Sequence, residues 1–317
     1  MLRLFNFDKG RLKEHTPPED QLKQAVDKAA WIDAHDPSED ERAQLQAFLR
    51  TTLPESDDVE EIESSARYFT DPTGVHVRSL FLSISEGRHS TATVAFILQN
   101  DRLITLREGA LADFRLLRMR ARHGQVAAHS PQELLVLIFE QKVENLADAL
   151  EDIHRKLEDV SYLVLEEIDS DLENAIDQLA KLEDSNGKIR LCLMDTQRSI
   201  SFLQRHLRNH PELQETAREI MRDVDTLMSH TTFLFDKINF LMDSTQGFIN
   251  ITQNKIIKIF SIAAVVFLPP TLVASIYGMN FQYMPELNLQ LGYPGALALM
   301  LLSGIAPYWF FKRKGWL

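Results

Sequence analysis

Apolar residues recur at helical spacing through the middle of the chain and form two nearly uninterrupted runs near its C-terminal end. Leu134, Leu135, Ile138 and Val143 begin one apolar face, and from residue 146 to residue 160 its members are three or four positions apart, which is the spacing of one face of an α-helix. Ser130 and Glu133 precede this face as a capping box. The pattern predicts a series of long helices, with turns at Asn186-Gly187 and at residues 209–211.

The first 125 residues mix short alternating segments with short helical ones, which is typical of an α+β domain. Residues 75–84 are rich in β-forming side chains, and the segments 91–98 and 102–107 flank Asn100-Asp101 as in a hairpin. Helices are predicted at 19–33, at 38–53 (beginning at a capping box of Ser38 and Glu41) and at 110–122, with an acidic connector at 54–63.

Two apolar runs follow the long helices. Residues 256–279 carry a single charge, Lys258, and residues 291–311 carry none. At the rise of an α-helix these runs extend about 36 Å and about 30 Å, enough for each to cross the hydrocarbon core of a bilayer. A helix buried in a protein core is the alternative, but two such runs a dozen residues apart favour two transmembrane helices.

Basic residues lie at the start of the first run and after the end of the second, and none lies between the two runs. Lys255 and Lys258 begin the first run, residues 312–314 follow the second, and the loop 280–290 contains no Lys or Arg. The positive-inside rule therefore predicts that both chain ends are cytoplasmic, with Tyr308, Trp309 and Trp316 as interfacial anchors. The N-terminus is too polar for a signal peptide, so we expect the first 250 residues to stay in the cytoplasm.

Composition narrows the classes of function. The 317-residue chain has a net charge of −12, which disfavours nucleic acid as a partner and raises the local concentration of cations. Solubility alone is the usual reason for such an excess of acids, so the charge does not decide the function. Its one cysteine, Cys192, excludes an intrachain disulfide and lies in an apolar stretch typical of a core. No nucleophile, base and orienting group converge in the sequence and no zinc-ligand spacing occurs, so we expect no enzyme.

A polar stripe runs along the helix that leads into the first apolar run. Its members recur at alternating spacings of four and three: Asp243, Gly247, Asn250, Asn254, Ile257, Ser261, Ala264, Leu268, Thr271 and Ser275. Small residues such as Ser261 and Ala264 could serve helix packing alone. The asparagines and Asp243 favour a water-filled pore, in which Ile257 and Leu268 are constrictions. Two helices cannot enclose a channel, so this hypothesis requires a symmetric ring of chains.

A motif closes the first apolar run. Tyr277-Gly278-Met279-Asn280 is followed by Met284-Pro285-Glu286-Leu287, and the chain ends in a basic segment with a final Gly-Trp-Leu. This arrangement resembles the CorA family of magnesium transporters, and the specific motifs lie in about the last 40 residues.

The resemblance implies a funnel-shaped homopentamer in a bacterial inner membrane that takes up Mg²⁺, with Co²⁺ and Ni²⁺ as further ions, down the electrochemical gradient. Gly278, Met279 and Asn280 would form the selectivity filter, in which Asn280 contacts hydrated Mg²⁺, and Glu286 would lie at the mouth. Intracellular Mg²⁺ bound between subunits would close the pore, and we expect Glu219 and Asp223 to contribute to that regulatory site.

The expected organisation is a cytoplasmic α/β domain at 1–125, long cytoplasmic helices with the start of the stalk at 126–254, a pore-lining transmembrane helix at 255–279, a periplasmic loop at 280–290, a second transmembrane helix at 291–311 and a basic cytoplasmic tail at 312–317. Two other functions stay open. The chain could be a zinc transporter similar to ZntB, which shares the fold, or a membrane-anchored helical sensor or scaffold.

Overall fold

The computed structural model describes residues 1–16, 22–49, 67–85, 87–166, 171–282 and 284–315. The chain forms two compact units, Met1–Met242 (unit 1) and Asp243–Leu317 (unit 2). The acidic connector predicted at 54–63, the end of the helix predicted at 38–53 and the anchor Trp316 lie outside the described residues.

The described part of unit 1 contains a mixed sheet of seven strands. These are β1 (Leu2–Asp8), β2 (Arg11–His15), β3 (Trp31–His35), β4 (Tyr68–Asp71), β5 (Gly74–Ser85), β6 (Arg88–Leu98) and β7 (Leu103–Arg107), in the spatial order β2-β1-β3-β7-β6-β5-β4. β3 and β7 are parallel, and the other neighbours are antiparallel. The predicted hairpin is confirmed, because Leu98 of β6 pairs with Leu103 of β7.

Seven helices and a short 3₁₀ helix account for most of the remaining described residues. They are α1 (Leu22–Lys28), α2 (Glu39–Leu49), α3 (Ala112–Arg122), α4 (Pro131–Leu165), α5 (Leu172–His206), α6 (Pro211–Tyr277) and α7 (Gly292–Arg313), with a short 3₁₀ helix at Pro285–Asn288. The helix predicted at 110–122 is confirmed as α3. The helix predicted at 19–33 is wrong beyond α1, since Trp31 to His35 is a strand.

A complete capping box begins α2, and a serine N-cap without the predicted reciprocal bond begins α4. At α2 the Ser38 side chain accepts from the Glu41 amide, and Glu41 accepts from the Ser38 amide in return, at 3.2 and 3.0 Å. At α4 the Ser130 hydroxyl accepts from the Glu133 amide at 3.1 Å. The Glu133 carboxylate, however, accepts from the amide of His129 rather than from that of Ser130. Both helices therefore begin where the sequence predicts.

An aromatic cluster forms the centre of the unit 1 core. Trp31, Phe81, Phe96, Phe114 and Phe139 are all at most 1% exposed, and neighbouring rings lie 5.5–6.5 Å apart between centroids. Burial of each such side chain contributes about 1.5–3 kcal/mol. The cluster joins the sheet to α3 and α4, so it fixes the helices against one face of the strands.

Two buried ion pairs lie beside this core. Asp33 on β3 accepts from Arg107 on β7 at 2.9 Å, and both are almost fully buried. Lys142 on α4 lies 3.7 Å from Asp195 on α5, and Ser79 bridges them by accepting from the lysine and donating to the carboxylate. Every charged group here has hydrogen-bond partners, which is the condition for tolerating it in a core.

The turn predicted at Asn186-Gly187 is wrong. α5 continues without a break from Leu172 to His206. Asn186 is buried in its middle and donates to the carbonyl of Thr231 on α6 at 3.0 Å. This tertiary hydrogen bond and the apolar face on both sides outweigh the turn preference of the Asn-Gly pair. The turn predicted at residues 209–211 is confirmed between α5 and α6.

Unit 2 contains the C-terminal part of α6 and all of α7. Both helices are long and apolar enough to cross a membrane by length and composition. Among the described hydrophobic residues of this unit, only Ile262 and Ala296 are buried. α6 continues through Pro269 and Pro270, although neither proline can donate to the carbonyl one turn earlier.

Candidate functional site

The polar stripe lies on an uncovered face of α6. All ten of its residues are exposed in the chain, including the apolar members Ile257 and Leu268 at 61% and 65%. They follow one another along the helix because α6 is unbroken from Asp243 to Tyr277. The structure therefore presents the ten side chains as one continuous edge of unit 2.

The opposite face of α6 packs against α7. Ile262 is buried, and Val266 and Pro270 are half-buried. A Cβ at Gly304 of α7 would lie only 3.3 Å from Pro270 Cγ and 3.7 Å from the Val266 carbonyl oxygen. At 3.6 residues per turn these three α6 residues project roughly 120–160° away from the mean direction of the stripe. Packing between the two helices therefore does not account for the stripe.

The polar side chains of the stripe keep their acceptors available. Thr271 donates its hydroxyl hydrogen to the Phe267 carbonyl at 2.8 Å, which leaves the hydroxyl oxygen free to accept. Within the part of the chain that the structure describes, the side chains of Asn250, Asn254 and Asp243 have no hydrogen-bond partner. Oxygen atoms of this kind are the groups that the hydration shell of a divalent cation contacts.

The filter motif follows directly on the last turn of α6. The helix ends at Tyr277, so Gly278, Met279 and Asn280 lie outside it, although the first apolar run was predicted to extend to residue 279. The Gly278 amide donates to the Ala274 carbonyl at 2.9 Å. A Cβ at Gly278 would lie 3.1 Å from that same oxygen. Glycine is therefore favoured here by close approach, and Asn280 is exposed at the helix end.

The loop beyond the motif folds against the start of α7. Glu286 lies in the 3₁₀ helix and is exposed. The Gly292 amide donates to the Leu289 carbonyl at 3.0 Å, and a Cβ at Gly292 would collide with the backbone oxygen of Glu286. The absence of a side chain at Gly292 thus allows the segment that carries Glu286 to lie close to the helix.

Glu219 and Asp223 lie in unit 1, on the edge of an acidic groove between α4 and α6. The groove has a volume of about 340 Å³, and Glu140 and Glu144 of α4 line its other side. Burial raises the pKa of Glu140, and the carboxylates of Glu144, Glu219 and Asp223 raise it further. The four acids therefore repel one another across this groove.

The sequence analysis missed Glu140 and Glu144. Their signal is an i,i+4 pair of acids on α4, which matches the i,i+4 pair formed by Glu219 and Asp223 on α6. Among the described residues of one chain, no three His, Cys, Asp or Glu side chains are arranged to hold a metal ion.

The matching family model and the relatives of high identity are of one family. Residues 26–313 match the family model of the CorA-like Mg²⁺ transporter protein. The chain is 48% identical over 319 residues to the magnesium transport protein CorA of Salmonella typhimurium and to that of Escherichia coli strain K12, covering 100% of each. The complete structure of the CorA magnesium transporter from Methanocaldococcus jannaschii is similar with a TM-score of 0.75 at 18% identity, over 100% of this chain and 99% of that one.

Proposed function

The chain belongs to the family of CorA-like Mg²⁺ transporter proteins, and we propose that it carries Mg²⁺ across a bacterial inner membrane through a pore lined by α6. The family is one of transporters, so the prediction that the chain is not an enzyme is confirmed. The relatives from Salmonella and Escherichia coli are named for magnesium, which gives the zinc alternative less support.

One observation supports the pore most strongly. The polar stripe is exposed along its whole length, on the face of α6 that α7 leaves uncovered. In a lone chain within a bilayer, this face would place Asn254, Thr271 and Ser275 against lipid, where unpaired polar groups are costly. A shared water-filled axis relieves that cost, because water and the passing ion then pair with these groups.

The proposed axis is that of a homopentamer with a cytoplasmic funnel. Each subunit contributes one α6, and the five stripes surround the pore. Both chain ends are cytoplasmic in this arrangement, since Lys255, Lys258 and residues 312–314 lie at one end of the two spans. The loop that contains Glu286 is then periplasmic, and its carboxylate attracts cations to the mouth.

The filter acts on a hydrated ion. Mg²⁺ holds its waters tightly and prefers oxygen ligands, so a ring of Asn280 amide oxygens and backbone carbonyls of Gly278 and Met279 can bind its water shell without removing it. Thr271 contacts the shell next. The ion then passes the amides of Asn254 and Asn250 and the carboxylate of Asp243, and Ile257 and Leu268 form apolar constrictions that gate by dewetting.

No energy source beyond the membrane potential is needed. Moving two charges down an inside-negative potential of about 100 mV releases about 4.6 kcal/mol. Ions of similar charge and coordination, Co²⁺ and Ni²⁺, are expected to use the same pathway.

We propose that the pore closes when intracellular Mg²⁺ binds between subunits, and that Glu219 and Asp223 contribute to that site. Mutual repulsion among the acids of the groove between α4 and α6 supports it, because a bound divalent cation relieves the repulsion. Ligands from a neighbouring subunit complete the coordination.

Ion flux into proteoliposomes tests the proposed function. The full-length protein should take up Mg²⁺ faster than Zn²⁺, and Asn280→Ala should abolish the selectivity or the flux. Faster Zn²⁺ uptake would favour the zinc alternative. Absence of any flux from a folded, reconstituted protein would favour the membrane-anchored sensor or scaffold.

A further inference from the structure

A groove lies between α6 and α7. It is at the end of the two apolar spans where Lys255, Lys258 and residues 312–314 lie. It has a volume of about 530 Å³. Its walls are apolar along α6, and Tyr308 is the residue that α7 contributes. The residues on which the argument rests are Lys255, Lys258, Ile262, Ala263, Val266 and Tyr308.

The charge of the groove has one sign. Lys255 and Lys258 line it, no carboxylate does, and neither lysine has an ion-pair partner among the described residues. They are three positions apart on one helix, so their side chains begin about 5–6 Å from each other and can reach one anionic group. Arg313 of α7, outside the groove, instead lies 5.4 Å over the Trp309 ring.

The groove has no part in the proposed ion pathway. Ile262 and Val266 lie roughly 120° and 160° around α6 from the mean direction of the stripe, on the face that packs against α7. A pair of unpaired cations beside a cation pore would in any case repel Mg²⁺. An anionic group is therefore the occupant that complements the charge of these two lysines.

We propose that this groove binds one anionic phospholipid, with its phosphate between Lys255 and Lys258. This rests on the proposed function to the extent that α6 and α7 cross a bilayer. The acyl chain lies along Ile262, Ala263 and Val266, and the ring of Tyr308 contacts the glycerol region, where tyrosines are enriched at membrane interfaces. Basic pockets between transmembrane helices on the cytoplasmic side are suited to such headgroups.

Retained lipids provide the test. The full-length protein is reconstituted in nanodiscs of equal parts phosphatidylglycerol and phosphatidylcholine, and the lipids that stay bound after extraction are counted by native mass spectrometry. The wild type should retain phosphatidylglycerol in excess. The double variant Lys255→Gln, Lys258→Gln should lower the ratio of the two lipids about tenfold.

Two further variants distinguish lipid binding in the groove from a general attraction of anionic lipid to positive charge. Lys312→Gln with Lys314→Gln removes two positive charges at the same end of the spans but outside the groove, and should leave the ratio unchanged. Ala263→Trp fills the groove and should reduce retention of both lipids. Equal losses from the two lysine pairs, unchanged retention in Ala263→Trp, or no preference in the wild type would each overturn the proposal.

Mg²⁺ uptake measured on the same preparations is a separate readout. A loss of the lipid preference with normal uptake rejects the lipid site alone. Absence of uptake with a normal lipid preference rejects the proposed function alone.

Discussion

The two units differ in whether their polar side chains are buried and paired or exposed and without a partner. In unit 1 two buried carboxylates form ion pairs, Asp33 with Arg107 and Asp195 with Lys142. In unit 2 the polar residues of the stripe are exposed, and Asn250 and Asn254 have no partner among the described residues. The difference indicates that polar groups of unit 1 hold the fold together, whereas those of the stripe are available to something outside the chain.

The largest expected effect is on the stability of unit 1. Asp195→Ala should lower the free energy of unfolding by about 3–5 kcal/mol, because it leaves the buried Lys142 without its carboxylate partner and the Ser79 hydroxyl and Leu80 amide without their acceptor. Thermal unfolding of the full chain followed by circular dichroism measures the change. Asp177→Ala removes a carboxylate from an exposed pair with Lys181 and should cost less than about 1 kcal/mol. Equal losses of stability in Asp195→Ala and Asp177→Ala would contradict the conclusion that buried ion pairs hold the fold of unit 1 together.

A second effect on unit 1 depends on pH. Burial raises the pKa of Asp113 to about 6, above its unfolded value of 3.8. The folded state therefore holds the proton more tightly, and stability falls as the pH rises from about 4 to about 6. Asp113→Asn should remove this penalty and stabilise the protein by about 2–3 kcal/mol at neutral pH, but by little near pH 4. The unfolding midpoints of the wild type and of Asp113→Asn are compared across that pH range. A difference between them that does not change with pH would show that Asp113 does not titrate there.

Two threonines of α6 allow a matched comparison for unit 2. Thr271 lies on the stripe, whereas Thr252 is exposed on the opposite side of the helix. Thr271→Val should lower Mg²⁺ flux about tenfold, equivalent to roughly 1.4 kcal/mol, because it removes an oxygen that contacts the ion's water shell. Thr252→Val should leave the flux unchanged. Equal fluxes in the two variants would contradict the assignment of the stripe to the pore.

The smallest expected effect is on closure of the pore by internal Mg²⁺. Replacing both Glu219 and Asp223 by Ala should raise the internal Mg²⁺ concentration needed for closure by about threefold, roughly 0.6 kcal/mol, since two weak ligands are lost. Glu215→Ala is the control, because Glu215 lies on the same helix but pairs with Arg218 and Arg222. An unchanged dose response in the double variant would reject the regulatory role of both acids.

Sequence reasoning predicted best where one local pattern decides the structure. The helix starts at Ser38 and Ser130, the hairpin between β6 and β7 and the apolar runs could all be found from neighbouring residues. Asn186 and Asp33 could not, because their conformations depend on partners that are distant in sequence, Thr231 and Arg107.

The candidate site shows the same division. The stripe follows from helical spacing alone, and the structure adds that α7 covers the other face. The acidic groove was only half predicted, since Glu140 and Glu144 meet Glu219 and Asp223 through the packing of α4 against α6. Spacing within one helix cannot show which helix lies opposite.

Cross-linking tests the central claim most directly. In a Cys192→Ala background, Thr271→Cys should form disulfide-linked dimers of the reconstituted full-length protein and react with water-soluble thiol reagents, because five copies face one wet axis. Thr271 is exposed on the stripe, whereas Val266, on the side that packs against α7, supplies the control Val266→Cys, which should do neither. Lipid exposure of residue 271, with no cross-link between subunits and no reaction with soluble reagents, would contradict the account.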